Sequence, residues 1–128
     1  MDANNEEPVK IVVAGTRHFN DANLMRLELH KFVRELKTTN IEVVSGGAKG
    51  ADTLGEKYAK HYKQKLKVFP ADWEKYGRGA GHRRNAEMAK YADACIVFWD
   101  GKSKGTQSMI ELAKKRLLTL KVVIYEEE

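Results

Sequence analysis

The stretch IEVVSGGAKGAD, at residues 41–52, decides the fold. It begins as a short run rich in β-branched residues, turns through three glycines, and continues into a segment whose apolar side chains recur at helical spacing. That helical stripe consists of Ala51, Leu54, Tyr58, Ala59 and Tyr62. A strand, a glycine-rich turn and a helix in this order form the repeating unit of proteins built on a parallel sheet.

The same alternation extends in both directions from this stretch. Strand-like runs lie at residues 10–14 (KIVVA), 41–45 (IEVVS), 66–69 (LKVF), 94–99 (ACIVFW) and 121–125 (KVVIY). Helical periods lie between them, in segments 25–36, 51–62, 85–92 and 109–117. Most of the strand runs are continuous, which is typical of strands covered on both faces. We therefore predict an α/β fold, a Rossmann-like three-layer sandwich with a five-stranded, mostly parallel sheet and helices on both faces.

Length and composition bound the class of protein. A chain of 128 residues can bury a sizeable core without disulfides, and its single Cys cannot form an internal one. Residues 9–125 are predicted to form one domain, between a disordered tail at 1–8 and an acidic tail at 126–128. Because no leader-like or membrane-length apolar run is seen, we expect a cytoplasmic protein with no membrane partner. The net charge of +5 would suit an anionic partner.

Candidate ligand-binding residues follow the strands, because ligands of open parallel sheets bind beyond the carboxyl ends of the strands. The four segments that follow the first four strands are therefore expected to meet at one edge of the sheet. The candidates are Gly15, Thr16 and Arg17 after the first strand; Gly46, Gly47, Ala48, Lys49, Gly50 and Asp52 after the second; Asp72, Trp73, Arg83, Arg84 and Asn85 after the third; and Asp100, Gly105 and Thr106 after the fourth.

Cations at helix starts favour a phosphate ligand. Lys49, Arg83, Arg84 and Lys104 lie at or near predicted helix N-termini, where the helix dipole disfavours positive charge by roughly 0.3–1 kcal/mol each. An anion at these positions would reverse that effect, and glycine turns leave amides free to bind it. We expect Gly15, Gly47, Arg84 and Gly105 to surround one crevice.

Several of these residues also have purely structural interpretations. Trp73 could stack on a base or cap the sheet as part of the core. Asp52 could bind a sugar hydroxyl or the amides of its own loop, whereas loop capping is the ordinary role for Asp72 and Asp100.

Two further features are interpreted conservatively. The lysines at 57, 60 and 63 fit a solvated helix face better than a nucleic-acid patch, since they fall opposite the apolar stripe. The four histidines are dispersed without a ligand spacing, and the Cys lies within an apolar run, so no metal site is predicted.

Four ordered motifs carry a family resemblance. They are Gly15-Thr16-Arg17, VVSGGAKGAD (43–52), FPADWEKYGRGAGHRRNAEM (69–88) and IVFWDGKSKGTQSMI (96–110). With these motifs the chain resembles the SLOG superfamily, and within it the small single-domain branch related to the YspA proteins. The resemblance implies a Rossmann-like fold with a pocket for a nucleotide or nucleotide-derived ligand, such as an ADP-ribose-type molecule. It also makes a homo-oligomer plausible, as well as an origin in a phage or mobile element, and it implies no required cofactor.

The resemblance leaves three functions open. The leading prediction is binding of a nucleotide-derived ligand, for sensing or sequestration. The second is a nucleotide N-glycosidic hydrolase of the Lonely guy type, whose PGGxGTxxE pattern has its Glu where this chain has Met109. Asp52 or Glu111 would then have to supply the catalytic carboxylate. The third, less favoured, is binding of single-stranded nucleic acid, as in proteins of the DNA-processing protein A type.

Overall fold

A computed structural model describes residues 7–126 of the chain. Residues 1–6 and 127–128, which make up most of the two predicted tails, lie outside the described residues. The strands are β1 (Val9–Gly15), β2 (Ile41–Ser45), β3 (Lys65–Val68), β4 (Ala94–Trp99) and β5 (Thr119–Ile124). They form one sheet in the order β3-β2-β1-β4-β5, and all four pairings are parallel. The predicted Rossmann-like fold is confirmed.

Helices cover both faces of this sheet, because the central strands present apolar side chains in both directions. The helices are α1 (Ala22–Glu35), α2 (Ala51–His61), α3 (Trp73–Tyr76), α4 (Ala80–Tyr91) and α5 (Lys104–Lys115). Ile11 and Val13 of β1 pack in the cluster that includes α1 and α2. Val12 and Ala14 alternate with them and pack in the cluster that includes α4 and α5. Among residues 7–126, no helix is both long and apolar enough to cross a membrane.

The segment after β3 differs from the prediction. The third helix was expected to begin at residue 85, but α4 begins at Ala80, after the short helix α3 and a 3-10 turn at Gly77–Gly79. The glycines of this segment favour a loop by propensity, and tertiary packing overrides that preference. Arg83 and Arg84 are therefore the fourth and fifth residues of α4, at the end of its first turn and just past it. Both still lie near a helix start, as predicted, but the helix dipole acts on them less than on a residue at the first position of a helix, because the effect falls off within the first turn.

The strand order reverses direction between β1 and β4, and there the carboxyl ends of these two strands approach closely. The amide of Thr16 donates to the Phe98 carbonyl at 2.9 Å, and the Thr16 hydroxyl accepts a hydrogen bond from the Asp100 amide at 3.2 Å. A Cβ added at Gly15 would lie within 3.0 Å of the Phe98 carbonyl oxygen and of the Ala51 side chain. Only a glycine leaves room here, so Gly15 sets the geometry of the topological switch point.

Candidate functional site

A cavity of about 370 Å³ opens at this switch point, within the size range of small-molecule sites. It lies between the end of β1, the starts of α2 and α5, and the inner side of α4. Nine of the predicted residues line it: Gly15, Arg17, Ala48, Asp52, Trp73, Arg84, Asn85, Gly105 and Thr106.

A second cavity of about 500 Å³ adjoins the first. Gly46, Gly47 and Lys49 line it, and four residues are common to both cavities. The shared residues are Arg17, Ala48, Trp73 and Arg84. Of the four residues expected around one crevice, Gly15, Arg84 and Gly105 thus meet in the first cavity, whereas Gly47 lies in the second.

Six candidate residues line neither cavity: Thr16, Gly50, Asp72, Arg83, Asp100 and Glu111. The Asp72 carboxylate caps α3 by accepting a hydrogen bond from the Lys75 amide at 3.1 Å. The Asp100 carboxylate accepts from the amides of Lys102 and Ser103 at 2.9 and 2.8 Å. Both aspartates therefore have the loop-capping role that was the alternative interpretation.

Two other candidates, Arg83 and Glu111, lie on the exposed sides of their helices. Arg83 lies 4.1 Å from the centre of the Tyr76 ring, on the exposed side of α4. Glu111 is exposed on α5, where Met109 and Ile110 occupy the buried side. The structure therefore does not bring Glu111, one of the two candidate catalytic carboxylates, to the site.

Side chains of β2 and α2 bind three amides of the glycine-rich loop that joins these elements. One oxygen of the Asp52 carboxylate accepts hydrogen bonds from the amides of Gly46 and Ala48, at 3.1 and 3.3 Å. The Gly47 amide donates to the Ser45 hydroxyl at 3.1 Å. The expectation that Gly46 and Gly47 present free amides to a phosphate was therefore wrong. The anion that these loop amides bind is the protein's own carboxylate.

Arg84 links this loop to α4. Its guanidinium donates through Nη1 to the Gly46 carbonyl and through Nε to the Asn85 side chain at 2.9 Å. Burial lowers the pKa of Arg84, the neighbouring Asp52 raises it, and the charge of Arg17 lowers it again. Two guanidinium groups thus repel each other beside a single carboxylate. An anion bound between them would offset this repulsion.

Two free backbone donors lie at the start of α5. The Ser103 hydroxyl caps the helix by accepting from the Thr106 amide at 3.5 Å. Within residues 7–126, the amides of Lys104 and Gly105 have no hydrogen-bond partner. The Lys104 side chain also lines the first cavity, as do Arg17 and Arg84. Asp52 is the single carboxylate among the described residues of that lining. The α5 start is therefore the best-equipped anion site of the cavity.

Several lining residues were not among the predicted site residues, mainly Arg78, Gly81, His82 and Ser108. His82 Nδ1 and Ser108 Oγ lie 2.9 Å apart and join α4 to α5. A helix starting at residue 80 would have revealed Gly81, Asn85 and Met88 as one inward face, because they follow the helical spacing. This spacing was not recognised, because the helix was predicted to begin at residue 85.

The Asp52 carboxyl makes the stability of the protein depend on pH. Burial raises its pKa from 3.8 to about 6, against the lowering effects of the Ala48 amide, the Arg84 charge and the Gly46 amide. Because the folded protein holds this proton more tightly than the unfolded chain, the stabilising contribution is complete below pH 3.8 and is lost as the pH rises through about 6.

We therefore expect the wild type to lose stability relative to Asp52→Asn over this interval, by on the order of 3 kcal/mol. Urea unfolding of both proteins at a series of pH values measures the difference. Asp100→Asn is the control of opposite sign, since the amides of Ser103 and Lys102 lower the pKa of Asp100. In the wild type, the contribution of the Asp100 carboxylate to stability is lost as the pH falls. Parallel pH profiles for the wild type and Asp52→Asn would show that the carboxyl is not held in this way.

Comparisons with known proteins agree with this architecture. Gene 61 protein of Mycobacterium phage D29 is 34% identical over 116 residues, a match that covers 83% of this chain and 89% of the phage protein. Two solved structures share the fold over 91% of this chain. DNA processing protein A from Streptococcus pneumoniae has a TM-score of 0.67 at 20% identity. DNA processing protein A from Helicobacter pylori, described for its single-stranded DNA binding mode, has a TM-score of 0.60 at 22% identity.

The chain spans 50% and 65% of these two structural neighbours, so the likeness concerns one part of each. The family pattern that describes YspA and cpYpsA-related SLOG proteins matches residues 9–76, from the start of β1 through the loop after β2 to the end of α3. This match covers more than half of the sequence, and the phage relative extends the similarity over most of it. The chain belongs to the YspA, cpYpsA-related SLOG family.

Proposed function

We propose that this protein binds a nucleotide or nucleotide-derived ligand, for sensing or sequestration, with a phosphate at the start of α5. The observation that carries this proposal is the convergence of Lys104, Arg17 and Arg84 on one cavity in which the first two amides of α5 are free. Charge-assisted hydrogen bonds to phosphate suit guanidinium and ammonium groups, and helix-start amides add to them.

The electrostatics of the cavity support an anionic ligand over a neutral one. Arg84 is half-buried, and its pKa is lowered by that burial and by the charge of Arg17. A phosphate between the two guanidinium groups would replace lost hydration and offset their repulsion. Asp52 cannot do this fully, because its carboxylate is also committed to the amides of Gly46 and Ala48.

The nucleoside part has a place beside the phosphate. The Trp73 side chain borders both cavities and is 51% exposed, so it can stack on a base. Ligands of the ADP-ribose type, which carry two phosphates and two sugars, would extend from the first cavity into the second. The phage relative fits a role on a mobile genetic element.

Turnover of the ligand has weaker support than binding. A glycosidic hydrolase needs a carboxylate near the sugar to stabilise positive charge in the transition state. Met109 lines the cavity where the Lonely guy pattern has Glu, and Glu111 lies outside the cavity. The Asp52 carboxylate accepts hydrogen bonds from amides of the loop before α2. We therefore propose binding, with at most weak release of base from nucleoside monophosphates.

Single-stranded nucleic acid is the second candidate. It is favoured by the structural neighbour from Helicobacter pylori, which is described for that activity, and by the exposed Trp73 beside a cationic cavity. Stacking aromatics with a basic groove are typical of such surfaces. The two candidates use the same positive charge differently, and that difference can be measured.

Salt dependence separates a pocket from a nucleic-acid surface. Single strands release counterions at each phosphate contacted, so log affinity should fall with log salt at a slope of roughly −0.7 per contact. A ligand with one or two phosphates, held partly by backbone amides, should show a shallow slope. Calorimetry with ADP-ribose and with an oligonucleotide over a salt series is expected to give tight, weakly salt-dependent binding of the small ligand.

A control variant tests the basic helix face. Neutralising Lys57, Lys60 and Lys63, which are exposed on and just after α2, should leave affinity for the small ligand almost unchanged. Tight, steeply salt-dependent binding of the oligonucleotide that collapses in this triple variant would replace the pocket with a nucleic-acid surface.

A further inference from the structure

The two edges of the sheet are built differently. Edge strand β3 carries two exposed lysines, Lys65 and Lys67, in four residues. Such lysines are a common guard against pairing with another chain. Edge strand β5 has the sequence TLKVVI and exposes Val122 and Ile124, by 37% and 67% of their surface. Its outer edge therefore lacks the protection that β3 has.

The one lysine of β5 does not guard its edge. The Lys121 ammonium lies 3.7 Å from the Glu28 carboxylate and 3.4 Å from that of Glu35, both on α1. Its side chain is thus drawn over its own domain. Among residues 7–126, no strand pairs with the outer edge of β5, and three β-branched residues follow Lys121 in the strand.

We propose that β5 pairs antiparallel with β5 of a second copy of this chain, around a two-fold axis at Val122, so that one sheet runs through both copies. Such an axis stands normal to the sheet and keeps each helix layer on its own face. Residues that pair must then lie on the same face of the sheet. Each residue therefore pairs either with its own counterpart in the second copy or with a residue an even number of positions away.

Side-chain alternation selects the register centred on Val122. Leu120 packs toward α5, so Val122 and Ile124 share that face by the two-residue period of a strand. Val122 then meets the same residue of the second copy, and Ile124 meets Leu120. Apolar pairs of this kind stabilise antiparallel strands. The register centred on Lys121 would place the two Lys121 side chains opposite each other, which like charges disfavour. The register centred on Val123 would place Leu120 opposite Glu126, so that an apolar pair is lost.

Charge complementarity identifies the occupant as a second copy and fixes its direction. Lys114, Lys115 and Arg116 precede β5 and are exposed, whereas Glu126 follows it and is exposed. Two further glutamates follow Glu126 in the sequence. Antiparallel pairing brings the basic end of one copy to the acidic end of the other, twice. A parallel arrangement would bring like charges together at both ends.

The pairing has a consequence for the ligand site. The first cavity lies at the carboxyl ends of the strands, so antiparallel copies hold their cavities at opposite ends of the joined sheet. Each copy would bind its own ligand with its own residues. Loss of pairing should therefore leave ligand affinity unchanged, which makes this proposal and the proposed function separable by experiment.

Sedimentation equilibrium tests the surface. The wild type is expected to be a dimer, and Val122→Lys and Ile124→Lys should each raise its dissociation constant about tenfold or more, because lysines would face the partner's apolar strand. Val68→Lys is the matched control, since Val68 is 42% exposed on β3, the strand at the opposite edge of the sheet. A wild type that stays monomeric throughout, or a dimer that both β5 variants leave intact, would overturn the proposal.

Two further variants test register and direction. Val122→Cys should form a disulfide-linked dimer on mild oxidation, whereas Thr119→Cys should not, and Cys95 is buried and will not compete. Arg116→Glu and Glu126→Arg should each weaken the dimer, and the double variant should restore it. Efficient cross-linking through Thr119→Cys, or no rescue in the double variant, would contradict the antiparallel register.

Discussion

Arg84→Ala is expected to lower affinity for the nucleotide-derived ligand by about 10- to 100-fold. The guanidinium lines both cavities, and loss of a charge-assisted hydrogen bond in such a site costs roughly 1.5–3 kcal/mol. The same change frees the Gly46 carbonyl that Arg84 holds. Calorimetry with ADP-ribose measures the loss, and thermal unfolding shows whether the fold is kept.

Arg83→Ala is the matched control for this change. Arg83 is the adjacent residue on the same helix, carries the same charge and lies over the Tyr76 ring outside both cavities. Its removal should alter affinity by less than about twofold, because Arg83 is exposed and water and salt screen its charge. Equal losses from the two variants would indicate general electrostatic attraction in place of a defined phosphate site.

Gly50→Ala is expected to lower the free energy of unfolding by about 3 kcal/mol or more. Gly50 precedes α2 with φ +81° and ψ −123°, a conformation that L residues rarely adopt. An added Cβ would also lie within 3.0 Å of the carbonyl oxygens of Thr16 and Arg17. The cost of the backbone strain and the cost of the steric overlap with these carbonyls add. Neither carbonyl can move without disturbing the loop after β1.

Gly101→Ala separates the two contributions. Gly101 has the same φ of +81°, but nothing lies within 4 Å of the position its Cβ would take. We expect a loss of about 1–2 kcal/mol there, from backbone strain alone. Urea unfolding of both variants measures the difference. If Gly50→Ala cost no more than Gly101→Ala, the close approach of the α2 start to the β1 loop would be refuted.

The fold could be predicted because its strands are encoded locally. Residues 94–99 and 41–45 were predicted as strands with the boundaries that the structure shows, since β-branched and aromatic residues fill them and polar residues end them. The segment from Trp73 to Arg84 could not be predicted in the same way. Its glycines argue for a loop, and only packing of α4 against α5 and β1 makes it helical.

The site could be predicted less completely, because glycines and charges do not reveal their partners. Sequence placed the candidate residues at the correct edge of the sheet, but it could not tell whether the amides of the β2–α2 loop were free. The answer depends on Asp52, whose carboxylate folds back onto Gly46 and Ala48. His82 and Ser108 meet across two helices, a contact that no local pattern encodes.

Amide chemical-shift mapping tests the phosphate site most directly. The isotope-labelled protein would be titrated with ADP-ribose, with AMP and with adenosine, which lacks the phosphate. We predict that the two phosphate ligands give their largest shifts at the amides of Lys104 and Gly105, the free donors of α5, and that adenosine leaves these amides unshifted. Shifts confined to Lys57, Lys60 and Lys63, or equal shifts at Lys104 and Gly105 with adenosine, would contradict a phosphate site at the start of α5.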